Sequence, residues 1–329
     1  MQDSETVTTP KQTALPVGIL AGAIATLLAL GAMSQLSFAF VIYAASALPI
    51  LIAGLGWGNR AAIVAVITAA VLGAVLVSPP FAATMAVFTL LPAGWLSHLA
   101  NLARPASELG GPDHLLAWYP LSDILLHLCC VVTLAMIALG VVIGYGPDLT
   151  SQMVDLMTEA LRGQDPTFVP DAAGLAQTKA MMVLMLPMVQ GGLWVLLLFA
   201  AFYIAIRFVS RSPRALRPRE DMPSALRMNR NSIFVFLAGI LLTFAGGVLA
   251  MIGATICGTF GAGFLMAGFA SLHFRSKGKD WRVPVLVLAY LSSLMFLPAL
   301  FVLVFGLADT RRTIALTPAK GANSSNDSN

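Results

Sequence analysis

About nine stretches of this chain are apolar over the roughly 20 residues that a helix needs to cross a bilayer core. None of its 15 acidic and 19 basic residues lies near the middle of any of them. In hydrocarbon every backbone polar group must be satisfied internally, so only helices or closed barrels can span, and runs this long without alternation select helices. The expected fold class is all-α, a polytopic transmembrane helix bundle of about eight to nine transmembrane helices. With 58% hydrophobic and 10% charged residues, the chain departs from soluble domains, in which about a quarter of residues are charged. The lipid bilayer is its main partner.

The candidate spans are 14–33, 38–55, 61–77, 81–102, 124–143, 180–208, 233–251, 254–274 and 283–307. They divide the chain into a cytoplasmic N-terminal segment (1–13), a six-helix unit (14–208), an Arg/Pro-rich cytoplasmic loop (209–230), a three-helix unit (231–307) and a polar tail (308–329) expected to be disordered. Alternating loops collect Lys11, Arg60, Arg104, Arg207, Arg211, Arg214, Arg217, Arg219, Arg227, Arg230, Arg275, Lys277, Lys279 and Arg282 on one side. The positive-inside rule makes that side, and the N-terminus, cytoplasmic. Nine crossings place the C-terminus outside. Arg311 and Arg312, directly after the last run, dissent and would favour eight crossings with one re-entrant segment; nine is the expectation.

Proton- or ion-coupled pumps carry intramembrane carboxylates or bases; their absence argues against a self-powered transporter. HExxH, GxSxG and paired-Asp arrangements are missing, so no catalytic residue is assigned and enzymatic activity is not expected. Cys129, Cys130 and Cys257 lie inside predicted helices without ligand spacing; they read as packing residues, and no metal or cofactor is implied. Seven arginines in one loop suit an acidic partner or anionic lipid; specific nucleic-acid binding is not expected.

Few polar groups offer a site. Gln190, beside Gly191, Gly192 and Trp194, is a polar side chain at membrane depth, with Pro187 loosening the helix one turn earlier. Asp123 and His127 share a face at the start of the fifth span and suit hydrogen bonding or proton transfer, with His98 nearby; the alternative is an interfacial polar cluster. Gln190, Trp194, Asp123 and His127 are the candidate ligand-binding residues. Ala21, Ala25 and Ala29 form a small-residue stripe suited to close helix packing or to docking another membrane subunit. Gly239, Thr243 and Gly247, and Ala254, Gly258 and Ala262, repeat that spacing. In the outer loop, Met153, Leu156, Met157, Ala160 and Leu161 share one helical face.

The segments Leu48-Pro49-Ile50, Gly54-Leu55-Gly56-Trp57-Gly58, Leu91-Pro92-Ala93-Gly94-Trp95, Ala103-Arg104-Pro105, Trp118-Tyr119-Pro120 and Gly306-Leu307-Ala308-Asp309-Thr310 resemble the YybS-like family of bacterial membrane proteins over about residues 14–315. That resemblance implies the bacterial cytoplasmic membrane and no established activity. The first six spans also resemble, distantly, the substrate-binding S components of energy-coupling-factor transporters and the rod-shape protein MreD. In S components an alanine stripe on the first helix docks the coupling subunit, and Ala21, Ala25 and Ala29 match it; three further spans depart from the pattern. The functional expectation is a substrate-binding or partner-docking component of a small-molecule transport system without its own energy source. The alternative is a scaffold for envelope or division machinery that contacts a cytoplasmic partner.

Overall fold

The computed structural model describes residues 10–34, 37–165, 167, 169, 171–213, 215 and 217–318; Arg214, most of the N-terminal segment and residues 319–329 lie outside them. The fold is a polytopic all-α bundle. Among the described residues, seven helical segments are long and apolar enough to cross a membrane.

The helices are α1 (Pro10–Met33), α2 (Ala39–Ala45), α3 (Ala47–Trp57), α4 (Asn59–Leu76), α5 (Pro79–Met85), α6 (Leu91–Ala100) and α7 (Leu121–Ile143). They continue with α8 (Pro147–Gln164), α9 (Ala172–Val209), α10 (Met222–Ala225), α11 (Ser232–Thr243), α12 (Gly247–Arg275), α13 (Arg282–Ser292) and α14 (Phe296–Ala308). α2 and α3 together form one span, as do α5, a π-helical turn over Ala86–Leu90, and α6. Local chemistry sets the breaks. Gly58, with φ of 84°, stops α3 and starts α4, a backbone conformation that glycine adopts without steric cost. Ser78 caps α5 ahead of Pro79 and Pro80, accepting from Phe81 N at 3.3 Å.

Six expected spans form as long helices or near-continuous pairs, and 254–274 lies within α12. The other two differ. Residues 233–251 do not make one helix: α11 has 12 residues, about 18 Å, and the chain turns back through Gly246 and Gly247, both with positive φ. Hydropathy sees the apolar run but not the turn. Residues 283–307 fold as α13 and α14, bent by 118°. α13 follows the loop that leaves the end of α12, and Asp309, just past α14, returns to Ser271 of α12 at 2.8 Å. This pair therefore enters and leaves at one end of the bundle.

That end gathers the arginine loop, residues 101–120 and the C-terminal segment. β1 (Ala103–Pro105), β2 (Leu115–Trp118) and β3 (Leu316–Pro318) form a small antiparallel sheet in that order, pairing Arg104 with Ala117 and Leu116 with Thr317. Trp118 Nε1 donates to Thr317 Oγ1 at 2.8 Å. α1 runs alongside α4 in the same direction, Gly18 at Ala61 and Gly22 at Ala65, so it starts at this end too. The C-terminal segment 309–318 is thus docked on the arginine-rich end. A C-terminus on the opposite face, as nine crossings require, does not fit: with the α13–α14 pair returning to its own end, the seven long segments and the short α11 make eight passages among the described residues, and residues 309–318 of the polar tail are ordered by pairing.

α12 is the most enclosed of the seven spans. A Cβ at Gly258 would overlap Met188 O of α9, and one at Gly268 would overlap Val302 O of α14. The absence of side chains there lets both helices approach the α12 backbone closely. Thr133 and Thr259 hydroxyls lie 2.7 Å apart between α7 and α12, and Cys129 Sγ donates to Thr259 O at 3.4 Å. Through these contacts the hydrophobic core runs unbroken from the 14–208 unit into the 231–307 unit.

Candidate functional site

The polar candidates separate into two places. At the end opposite the arginine loop, α7 finishes at Gly144 in the left-handed region, with Tyr145 N bonded to Gly140 O at 2.8 Å. This turn aims the Tyr145 hydroxyl at α9, where it meets Met182 O at 3.1 Å and Val183 O at 3.2 Å. Val183 lies four residues before Pro187, which has no N–H to give it. The tyrosine therefore supplies a donor to the carbonyl that the proline orphans. Burial pushes the Tyr145 hydroxyl up to about 12, keeping it protonated for that role.

One turn further on, Gln190 stands on the wall between two cavities. The first, about 230 Å³, is bounded by Met136, Gly140, Tyr145, Pro187, Met251 and Thr255. The second, about 330 Å³, is bounded by Met33, Phe40, Tyr43, Thr84, Phe88 and Trp194. Gln190 and Leu139 line both. Trp194 is the centre of an aromatic cluster, with ring centroids 4.9 Å from Phe40, 5.3 Å from Phe88 and 6.0 Å from Tyr43. The Tyr43 hydroxyl is buried without a hydrogen-bond partner among the described residues, and Gln190 has none there either. An unpaired buried hydroxyl costs about 1–3 kcal/mol. Two unpaired hydrogen-bonding groups beside one aromatic-walled space make a receptor for a molecule with a polar group.

Asp123 and His127 do not join this site. They sit toward the other end of α7, about 24 Å (Asp123) and about 18 Å (His127) from Leu139 by helical rise. Asp123, 5% exposed, accepts from Asn229 Nδ2 and Arg312 Nη2, both at 2.5 Å. It clasps the C-terminal segment and the arginine loop onto the bundle and is not open to a ligand. His127 Nε2 instead meets the Tyr119 hydroxyl at 3.0 Å, and His98 Nδ1 meets Asn59 Nδ2 at 2.7 Å. The two histidines flank Trp95, at centroid distances of 5.7 and 5.9 Å.

Ala25 and Ala29 are fully buried and Ala21 is 7% exposed. α4 covers this side of α1, and Thr26 Oγ1 donates to Ala69 O at 3.3 Å. The stripe is spent on intramolecular packing and presents no open face to another subunit. The arginines of the basic loop also divide. Arg227 is wholly buried, its Nε 2.8 Å from Asp309 Oδ2, and Arg217 is buried against Glu220 and Ala100 O. Arg207 lies over the Tyr203 ring at 5.7 Å. Arg211, Arg219 and Arg230 are exposed. The network of Arg227, Asp309 and Ser271 has no local signature, since its members are 82 and 38 positions apart.

No protein-family model, no curated protein and no solved structure matches this chain.

Proposed function

We propose that this protein binds a small, largely apolar molecule with one neutral hydrogen-bonding group, within the membrane, as a component of a transport system that draws its energy from elsewhere. The observation that carries this reading is that the buried Tyr43 hydroxyl and the half-buried Gln190 amide, neither with a partner among the described residues, face one cavity walled by Phe40, Phe88 and Trp194. Such a pocket rewards a flat or aliphatic body with one donor or acceptor, and the lack of charge at that depth disfavours an ion. We place the arginine-rich end, with the N-terminus, in the cytoplasm on the positive-inside rule, to which Arg311 and Arg312 now contribute. The YybS-like resemblance adds the bacterial cytoplasmic membrane.

The test is purification at native expression in a mild detergent, followed by mass spectrometry of retained small molecules. A retained compound lost about tenfold in Gln190→Leu and Tyr43→Phe, one hydrogen bond's worth each, with unchanged thermal stability, supports the reading. An empty cavity, or retention indifferent to both substitutions, refutes it.

One observation favours the scaffold reading: α8 exposes Met153, Leu156, Met157 and Leu161 on one face. Replacing Arg211, Arg219 and Arg230 by Gln tests it better than deleting the loop, because Arg217 and Arg227 hold the fold. Loss of a co-purifying envelope or division protein from that variant favours the scaffold.

A further inference from the structure

A third cavity, on the outer flank of the bundle, belongs to neither place. It is a groove of about 660 Å³ between α4 and α6, with Val131 of α7 at its base. Asn59, Ala62, Ile63, Val66 and Ile67 give one wall and Leu91, Gly94, Trp95 and His98 the other. Both sets follow the i, i+3, i+4, i+7 spacing of a single helix face. α6 starts directly after the π-helical turn Ala86–Leu90, a local shift of helical register often found at functional positions. Ile63, Ile67 and Leu91 are each more than half exposed. The nine-residue run from Asn59 to Ile67 gives about 12 Å of groove, close to the roughly 15 Å of one leaflet's hydrocarbon.

The chemistry at the two ends of the groove differs. The Ile67 and Leu91 end is wholly apolar. The other end, on the arginine-rich side of the bundle, is polar and electropositive. Asn59 Nδ2 donates to His98 Nδ1; in that arrangement the neutral ring carries its proton on Nε2, a donor with no protein partner among the described residues. Arg60 is exposed and has no ion pair among the described residues. The first turn of α4 has no side-chain cap; Ala61 N and Ala62 N bond to Gly58 O, and the Asn59 and Arg60 N–H groups at its positive dipole end have no acceptor among the described residues. His98 and the first two N–H groups of α4 thus offer donors at this end of the slot, and the exposed Arg60, next in sequence to the lining residue Asn59, adds positive charge beside it.

We propose that this groove holds one hydrocarbon chain of an anionic, phosphate-headed membrane lipid, with its headgroup at Arg60, His98 and the start of α4. Trp95, 42% exposed, lies between chain and headgroup, the level at which indole rings settle in bilayers. Gly94 keeps the floor open, its missing Cβ meeting only Val66 Cγ2, at 3.4 Å. The site lies on a different face from the Gln190 cavities and stands or falls separately from them.

The experiment uses the full chain in phosphatidylcholine nanodiscs, with trace phosphatidylglycerol carrying a photoreactive group on its acyl chain, or the same probe on phosphatidylcholine. The expected result is labelling concentrated in residues 59–67 and 91–98. The anionic probe is preferred about tenfold, as one charge-assisted hydrogen bond predicts. Arg60→Gln and His98→Leu together abolish that preference while chain labelling persists. Gly94→Phe, which fills the slot, removes the chain labelling. Because Arg60 is exposed, Arg60→Gln alone tests headgroup selection in a folded protein even where Gly94→Phe does not fold. Equal labelling by both probes, labelling spread around the whole belt, or groove residues crosslinked to a second copy of the chain overturns the proposal.

Discussion

Arg227 and Asp309 allow a stability test whose sign is set by geometry. The guanidinium is wholly buried and donates to Asp309 Oδ2 at 2.8 Å, to Pro223 O at 2.8 Å and to Leu226 O at 2.7 Å. It also lies over the Phe274 ring at 5.8 Å. Asp309, 15% exposed, has two further supports, Ser271 at 2.8 Å and Arg311 at 3.4 Å. Asp309→Ala therefore leaves a buried cation without its counterion, a loss of about 3–5 kcal/mol. Arg227→Met leaves an acid that retains Ser271, Arg311 and some water, so its cost is about 2 kcal/mol, the worth of a charge-assisted hydrogen bond. The double variant Arg227→Met with Asp309→Leu removes both charges and their desolvation, and is expected within about 1 kcal/mol of the parent. Equilibrium unfolding in mixed micelles of mild detergent and dodecyl sulfate, read by tryptophan fluorescence, measures all three. A double variant as unstable as Asp309→Ala would refute the account, because the pair would then matter for shape and not for charge balance.

Gly258→Ala forces α12 away from Met188 O of α9 and is expected to cost about 2–3 kcal/mol; Gly31→Ala, which meets nothing within 4 Å, gains about 0.5–1 kcal/mol of helix propensity, both read in the same unfolding assay. Single cysteines placed at residues 219 and 318 are expected to react with an impermeant maleimide from the same face of the membrane, and one at residue 155 from the opposite face; labelling of 318 with 155 would overturn the even crossing count. Hydrogen bonds from Thr167 hold the Asp165 carboxylate below its ordinary value of 3.8. The turn is therefore fully held above that value and released as pH falls through the lowered one, and exchange of the Thr167 amide should quicken there in the parent but be pH-insensitive, beyond intrinsic exchange, in Asp165→Asn.

Most of the bundle was legible because hydropathy reports burial in lipid, and α1, α4, α7 and most of α9 and α12 satisfy it, although α9 begins eight residues before its expected span and α12 runs through the expected break at 252–253. It fails where an apolar run contains a turn. Gly246 and Gly247 reverse the chain between α11 and α12, and the break at Ser293–Met295 folds α13 against α14, yet neither changes the apolar count that defines a span. Charge near the ends was the better guide: Arg311 and Arg312 argued for an even number of crossings, and Arg312 reaches Asp123 across 189 positions. Gln190 stood out because an amide at depth is conspicuous in one dimension. Tyr43 did not, since a tyrosine near a span end reads as an interface residue, and its unpaired hydroxyl exists only once α2, α5 and α9 converge. Asp123 was conspicuous for the wrong reason, its partners Asn229 and Arg312 being invisible at a distance.

The two ends of this molecule are built from different interactions, and this bears on which end can respond to a ligand. At the arginine-rich end, two ion pairs, the Asn229 bond and a three-stranded sheet tie four stretches distant in sequence into one plate. Moving them separates the buried Arg227–Asp309 pair or leaves the buried Asp123 without its partners, so that end resists displacement. At the opposite end the helices are held by apolar contact, the cavities adjoin across Gln190 and Leu139, and α9 has already given up one internal hydrogen bond at Pro187. Displacing α9 there requires only that Tyr145 exchange one carbonyl for another, and Met182 O and Val183 O already share its hydroxyl. The close contact of Gly258 with Met188, one residue past Pro187 and two before Gln190, lies inside this region and limits any displacement to the part of α9 that precedes it. A tilt of that part with its attached α8 would therefore reshape the Tyr145 and Pro187 wall of the first cavity while leaving Gln190, Trp194 and the arginine-rich plate in place.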